Sequence, residues 1–212
     1  MRRLSSCLAV FCMFCLCFLP AHAESEEYTD SNTIVRNFMN LGIDEYTATK
    51  LCEKVENGEI LDCDNSRYLD QKPLVIIQKN GFYKEVYEYP DGSRKVVSIT
   101  AGITQYISGG IYSSGSNMYT WNNATVYGSN GLITISFKAN MAGSSYDGHL
   151  ISVSGLSYSG SQITINSFGV SNANATSGIP ANGGAKGICS SGSIALFVYV
   201  PINGSPYASF QG

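Results

Sequence analysis

The sequence predicts an α+β protein that is mainly β: a short N-terminal helical hairpin followed by an antiparallel β-sandwich, or a partly open barrel. Three observations predict it. Apolar residues recur at helical spacing only between residues 30 and 58. From Leu74 the period changes to two, with Gly, Asn, Asp, Ser or Pro between the runs. The last half, residues 101–212, carries only Lys138, Asp147 and Lys186 as charges. It is rich in Ser, Gly, Asn, Thr and Tyr, and β-branched and aromatic residues punctuate it too regularly for a disordered chain.

Taken in order, the chain starts Met1-Arg2-Arg3 and runs into an apolar stretch, Leu8 to Leu19, then Pro20-Ala21-His22-Ala23. A basic start, a short apolar run and small residues at the end make residues 1–23 a secretory signal peptide. The expected product is secreted and extracellular, with no transmembrane segment after cleavage, since no second long apolar run follows. Cleavage leaves 189 residues with 11 basic and 16 acidic side chains. That net of −5 offers no basic face to nucleic acid.

Residues 24–72 are expected to form the helical hairpin and an acidic loop. Asp30-Ser31 can cap a first helix, with Ile34, Val35, Phe38 and Leu41 on one face and Gly42 at its end. Asp44 can cap a second, Glu45 to Asn57, with Ala48, Leu51, Cys52 and Val55 on one face and Gly58 as the stop. Each is too short to stand alone, so both must dock on the β part.

Residues 73–212 are expected to form the β domain. Leu74 to Lys79, Phe82 to Tyr89 and Ser93 to Thr100 read as a meander, joined by Asn80-Gly81 and Pro90-Asp91-Gly92. Further strands are Ala124 to Tyr127, Leu132 to Met141, His149 to Leu156 and Gln162 to Val170, the last two paired through Ser159-Gly160-Ser161. Ile194 to Val200 is apolar enough for a central strand, and Asn172 to Ser191 reads as a Gly-rich loop.

Several segments also occur in a telling order: Leu41-Gly42-Ile43-Asp44-Glu45, Glu56-Asn57-Gly58-Glu59-Ile60-Leu61-Asp62, Tyr89-Pro90-Asp91-Gly92-Ser93, Ala124-Thr125-Val126-Tyr127 and Ser136-Phe137-Lys138-Ala139-Asn140. In this order the chain resembles a family of small secreted proteins of Gram-positive bacteria (Firmicutes) that carry a domain of unknown function. The resemblance implies secretion and a bacterial source, and no mechanism. It also implies that Cys52 and Cys63 are additions in this chain.

Cys52 and Cys63 are the best candidates for a disulfide. It would close a loop of about 12 residues, worth roughly 3 kcal/mol in the chain-entropy picture; pairing through Cys189 and three free thiols are the alternatives. Asp62, Asp64, Ser66 and Asp70 fit four positions of a calcium loop, but Arg67 and Pro73 stand where Gly and Glu are required. His149 beside Asp147 lacks a nucleophile elbow, Cys189 lacks a nearby base, and Gly183 to Gly187 lacks the phosphate-loop spacing. The expectation is therefore a non-enzymatic protein without cofactor or metal. Tyr112, Tyr119, Trp121, Tyr127 and Tyr146 lie among hydroxyl and amide side chains, a mixture suited to binding surfaces. They are the expected ligand surface for a cell-surface glycan or protein. The alternative is a secreted pore-forming or antimicrobial toxin, since Leu132 to Met141 and Gln162 to Val170 each have one apolar face.

Overall fold

The computed structural model describes residues 30–79, 81–101 and 119–212. The leader, Asn80, Tyr106 and Tyr112 lie outside the described residues.

Two helices open the described chain, α1 (Ser31–Asn40) and α2 (Glu45–Glu56). The Asp44 carboxylate accepts from the Thr47 N–H at 3.0 Å and from its hydroxyl at 2.7 Å, capping α2 as the sequence predicts. Asp30 makes no such bond; the Ser31 hydroxyl donates instead to the Glu56 carboxylate and ties the start of α1 to the end of α2. Gly42 and Gly58, with φ of +84° and +74°, turn the chain out of the two helices. Two 3-10 turns, Asp62–Asp64 and Ser66–Tyr68, follow.

Among the described residues, ten strands then form two open antiparallel sheets. The first is a six-stranded meander, β1 (Val75–Lys79), β2 (Phe82–Glu88), β3 (Arg94–Thr100), β4 (Tyr119–Ser129), β5 (Thr134–Gly143) and β6 (Gly148–Ser159), in that spatial order. The second, in the order β10-β9-β8-β7, holds β7 (Thr164–Asn172), β8 (Ala181–Cys189), β9 (Gly192–Val200) and β10 (Tyr207–Gln211). Among the described residues neither sheet closes on itself, so the barrel alternative gives way to a sandwich-like pair.

One apolar core lies between the sheets. Val97, Ile99, Val126, Ile135, Phe137, Met141 and Leu150 come from the first sheet; Ile194, Leu196, Val198, Val200 and Phe210 come from the second. On β5 the burial alternates along Ile135, Phe137, Ala139 and Met141, the face expected from the sequence. β9 lies between two strands, as its apolar run predicts.

Two expectations are corrected. β6 and β7 do not form a hairpin; they lie in different sheets, and Ser159-Gly160-Ser161 begins the crossing between them. Gly160 has φ +136°, and a Cβ there would lie 2.7 Å from the Leu132 carbonyl oxygen, so the crossing runs tight against the start of β5. The Gly-rich stretch is not all loop, because Ala181–Cys189 is β8, an inner strand. Its glycines stand where neighbouring backbone leaves no room for a side chain: a Cβ at Gly183 would lie 2.6 Å from the Gly169 carbonyl oxygen.

The helices dock on the first sheet through a separate, smaller core. Phe38, Ile43, Ala48, Leu51, Leu61 and Cys63 pack there with Tyr89 at the end of β2. Phe38 also presses on Gly131, whose φ of +92° and missing side chain make room for the ring.

Candidate functional site

The first sheet is six strands wide and the second is four. β10, the edge of the second sheet, packs against β3 and β4, and a cleft opens between it and the inner face of β2. That face is Tyr83, Glu85, Tyr87 and Tyr89, at alternate positions of one strand. On β3 the cross-strand partners are Ile99, Val97 and Lys95, opposite Tyr83, Glu85 and Tyr87 in turn. The 3-10 turns contribute Asp64 and Tyr68, and β10 contributes Tyr207 and Phe210. Ile99 is buried in the core, and the others together line a cleft of ≈ 680 Å³.

The cleft is walled by rings. Tyr68 and Tyr89 meet edge to face at 6.2 Å, and Tyr207 stacks on Tyr199 at 5.0 Å. Tyr83 and Tyr89 are buried, Tyr68 and Tyr87 half-buried, and Tyr207 exposed. The Tyr87 hydroxyl donates to Glu85 Oε2 at 2.6 Å. Burial, and then the hydrogen bond to Glu85, push the phenols of Tyr83 and Tyr87 far above the ordinary tyrosine value. Burial pushes Tyr89 up to about 12. At neutral pH the phenols of Tyr83, Tyr87 and Tyr89 are therefore protonated and able to donate.

Asp64 sits on the helical side of the cleft. Burial raises its carboxyl, and the Asn130 amide, donating at 2.8 Å, and the Lys95 charge oppose that rise. The Lys95 ammonium lies 5.9 Å from the centre of the Phe210 ring.

The wall that carries Asp64 is held by the turn after β2. Asp91 Oδ2 accepts from Lys54 Nζ at 2.9 Å and from the Asp62 N–H at 3.0 Å, and Oδ1 accepts from the Ser93 hydroxyl at 2.6 Å. The Asp91 N–H donates to the Asp62 carboxylate at 3.1 Å. Buried Ser93 accepts from the Cys63 N–H, and Arg94 bridges the Glu88 carboxylate and the Gly42 carbonyl. Pro90-Asp91-Gly92 is thus the clamp that fixes helices and turns to the sheet.

Of the residues expected to form the ligand surface, the four that are described lie in different surroundings. Trp121 is buried in the core between the sheets, and Tyr119 packs beside it edge to face at 6.4 Å. Tyr127 is half-buried on β4, one residue out of step with the core-facing Val126 and Gly128. Tyr146 is 90% exposed in the turn between β5 and β6. Tyr112 lies outside the described residues. Sequence reasoning missed Tyr68, Tyr83, Tyr87, Tyr89 and Tyr207; the signal that could have found four of them is the Tyr-x-Glu-x-Tyr-x-Tyr face of β2 pointing at a chain end rich in Tyr and Phe.

The remaining candidates separate as follows. Cys52, Cys63 and Cys189 are free thiols, so the expected Cys52–Cys63 bridge is not formed. Cys52 Sγ faces the Ser31 carbonyl and the Glu56 carboxylate, whereas Cys63 is buried beside Ser93 and Tyr89, so their neighbours differ. Burial raises both thiols, keeping them protonated. The Asp62 and Asp64 carboxylates of the calcium-like loop are engaged by Asp91 and Asn130, and among the described residues no three His, Cys, Asp or Glu side chains converge. His149 Nε2 is 3.4 Å from Asp147 and its Nδ1 is 2.8 Å from Asn174 Oδ1. The Ser144 hydroxyl donates to Asp147 and not to the imidazole, so no serine is paired with a base there. Among the described residues, no helix is long and apolar enough to cross a membrane.

No protein-family model matches the chain, and no curated protein matches it. Among solved structures, a hypothetical protein of Listeria monocytogenes EGD-e, a Firmicute, aligns with 19% identity over 62% of this chain and 95% of its own, at a TM-score of 0.33.

Proposed function

We propose that this is a secreted, non-enzymatic binding protein of the bacterial cell surface, and that the tyrosine-walled cleft beside β2 holds its ligand, a glycan. The single observation that carries this reading is the convergence of Tyr68, Tyr83, Tyr87, Tyr89 and Tyr207 with Glu85, Asp64 and Gln71 around ≈ 680 Å³ of open space. Sugar rings present C–H faces that pack on aromatic rings, and hydroxyls that hydrogen-bond to carboxylates and amides. Tyrosine supplies such area at low conformational cost. Burial holds the phenols of Tyr83, Tyr87 and Tyr89 protonated, which suits hydrogen-bond donation to a ligand. Secretion rests on the basic and apolar leader. The toxin alternative has less support, because the apolar face of β5 lies in the core between the sheets.

Calorimetric titration of the purified protein with defined wall-glycan oligomers tests the reading. The expected result is saturable binding that Tyr87→Ala and Tyr207→Ala each weaken by about tenfold or more, with melting temperature kept as the control for folding. No binding across oligomer types, or binding that both variants leave untouched, would sink it.

A further inference from the structure

The charges of the cleft are not evenly matched. Its lining carries two side-chain carboxylates, Asp64 and Glu85, against one side-chain ammonium, Lys95. Lys95 acts on the Asp64 side, where its charge opposes the rise of that carboxyl, and it lies against the Phe210 ring. Among the described side chains no lysine or arginine nitrogen forms an ion pair with Glu85. What Glu85 has instead is phenols: the Tyr87 hydroxyl at 2.6 Å, with Tyr83 beside it on the same face of β2. Tyr207 lines the same cleft from β10. A fixed carboxylate among tyrosine rings, with no protein cation of its own, suits a positive group, because a cation gains both from the carboxylate and from the ring faces. A sugar acid or phosphate placed there would meet the Glu85 carboxylate instead.

Building on the glycan reading, we infer that the cleft selects an amine-bearing sugar, with the ammonium of a glucosamine-type residue set against Glu85 and the rings of Tyr83, Tyr87 and Tyr207. An N-acetylated sugar has no charge to offer Glu85, and a uronic acid has the wrong one. The selectivity then resides in one side chain, while the sugar-stacking surface is shared by all three ligands.

The test is calorimetry on the purified protein at mildly acidic pH, with glucosamine, N-acetylglucosamine and galacturonate oligomers of equal length, and with trilysine. The expected order is glucosamine tighter than N-acetylglucosamine by about tenfold, and galacturonate weakest. Glu85→Gln, which keeps the shape and an acceptor for Tyr87, brings the glucosamine oligomer down to the level of the acetylated one. Equal binding of the first two by the native protein, or a preference that survives Glu85→Gln, overturns the inference and leaves the glycan reading standing. Trilysine binding as tightly as the glucosamine oligomer overturns it too, since charge alone would then suffice. No binding of any oligomer removes the glycan reading and the inference with it. Should Glu85→Gln not fold, salt decides: the preference is expected to shrink severalfold between low and high ionic strength, and a salt-insensitive preference overturns the inference.

Discussion

The molecule has two cores, and they are held by different forces. Between the sheets, Ile99, Ile135, Phe137, Met141, Leu196 and Val198 are almost wholly buried and apolar, so that core is maintained by area removed from water and by close packing. Under the helices the apolar cluster is smaller, and its attachment runs through Asp91, Asp62, Ser93, Lys54 and Asn130. The sheet pair should therefore answer to cavities and the helical cap to charge. Since Asp64 and Tyr68 of the cleft ride on the cap, loss of the cap should abolish binding before the sheets unfold.

The largest expected effect is in the sheet core. Phe137→Ala should cost about 3–5 kcal/mol and lower the melting of the whole domain, read by near-ultraviolet dichroism. A loss confined to the helical signal would break the distinction between the cores. Next, Asp91→Ala removes the acceptor of Lys54, the Asp62 N–H and Ser93, and should cost about 2–4 kcal/mol, seen first as loss of helical signal and of ligand binding with the β-signal kept. A single transition for both signals would show that the cap is not separable.

Acid should act through the same carboxylate. Burial pushes Asp91 up, but hydrogen bonds from Ser93, the Asp62 N–H and Lys54 outweigh it and hold the carboxyl below its ordinary value. A depressed folded value means stability that is full above the unfolded value and is lost as pH falls through the folded one. Asp64, raised by burial, has the opposite sign: its contribution is present below the unfolded value and is lost as pH rises. The cap should thus loosen in acid through Asp91, and Asp91→Asn should flatten that response; an unchanged acid transition in the variant would refute it. The smallest effect is expected from reduction. With Cys52 and Cys63 as free thiols, dithiothreitol should leave the melting temperature unchanged, whereas a bridge would add roughly 3 kcal/mol and show as a clear drop.

The helices and the opening meander were legible because their signals are local: Asp44 as a cap, Gly42 and Gly58 as stops, Pro90-Asp91-Gly92 as a turn between two strand-like runs. What stayed hidden depends on contacts between distant segments. Gly183, Gly184 and Gly187 look like loop residues until β7 and β9 are placed against them. Ser159-Gly160-Ser161 looks like a hairpin turn, and nothing nearby says that the chain changes sheets there. β10 is five residues long after Pro206, with polar alternate positions. The cleft combines residues from the 60s, 80s, 90s and 200s of the chain, so no spacing could announce it. The aromatic residues that did stand out, Tyr119 and Trp121, stand out for the ordinary reason that cores use large rings.

The first sheet also sets how this protein would carry load. β2 is fastened along β3 by seven paired residues, Phe82 to Glu88, while β1 pairs on one side only. A ligand seated on Tyr87 and Glu85 and dragged along the strands pulls on all seven pairs at once, in shear. Dragged across them, it opens one pair after another, like a zip. Under the proposed glycan reading, such an attachment would hold in one direction and peel in another, according to how β2 faces the surface that bears the glycan.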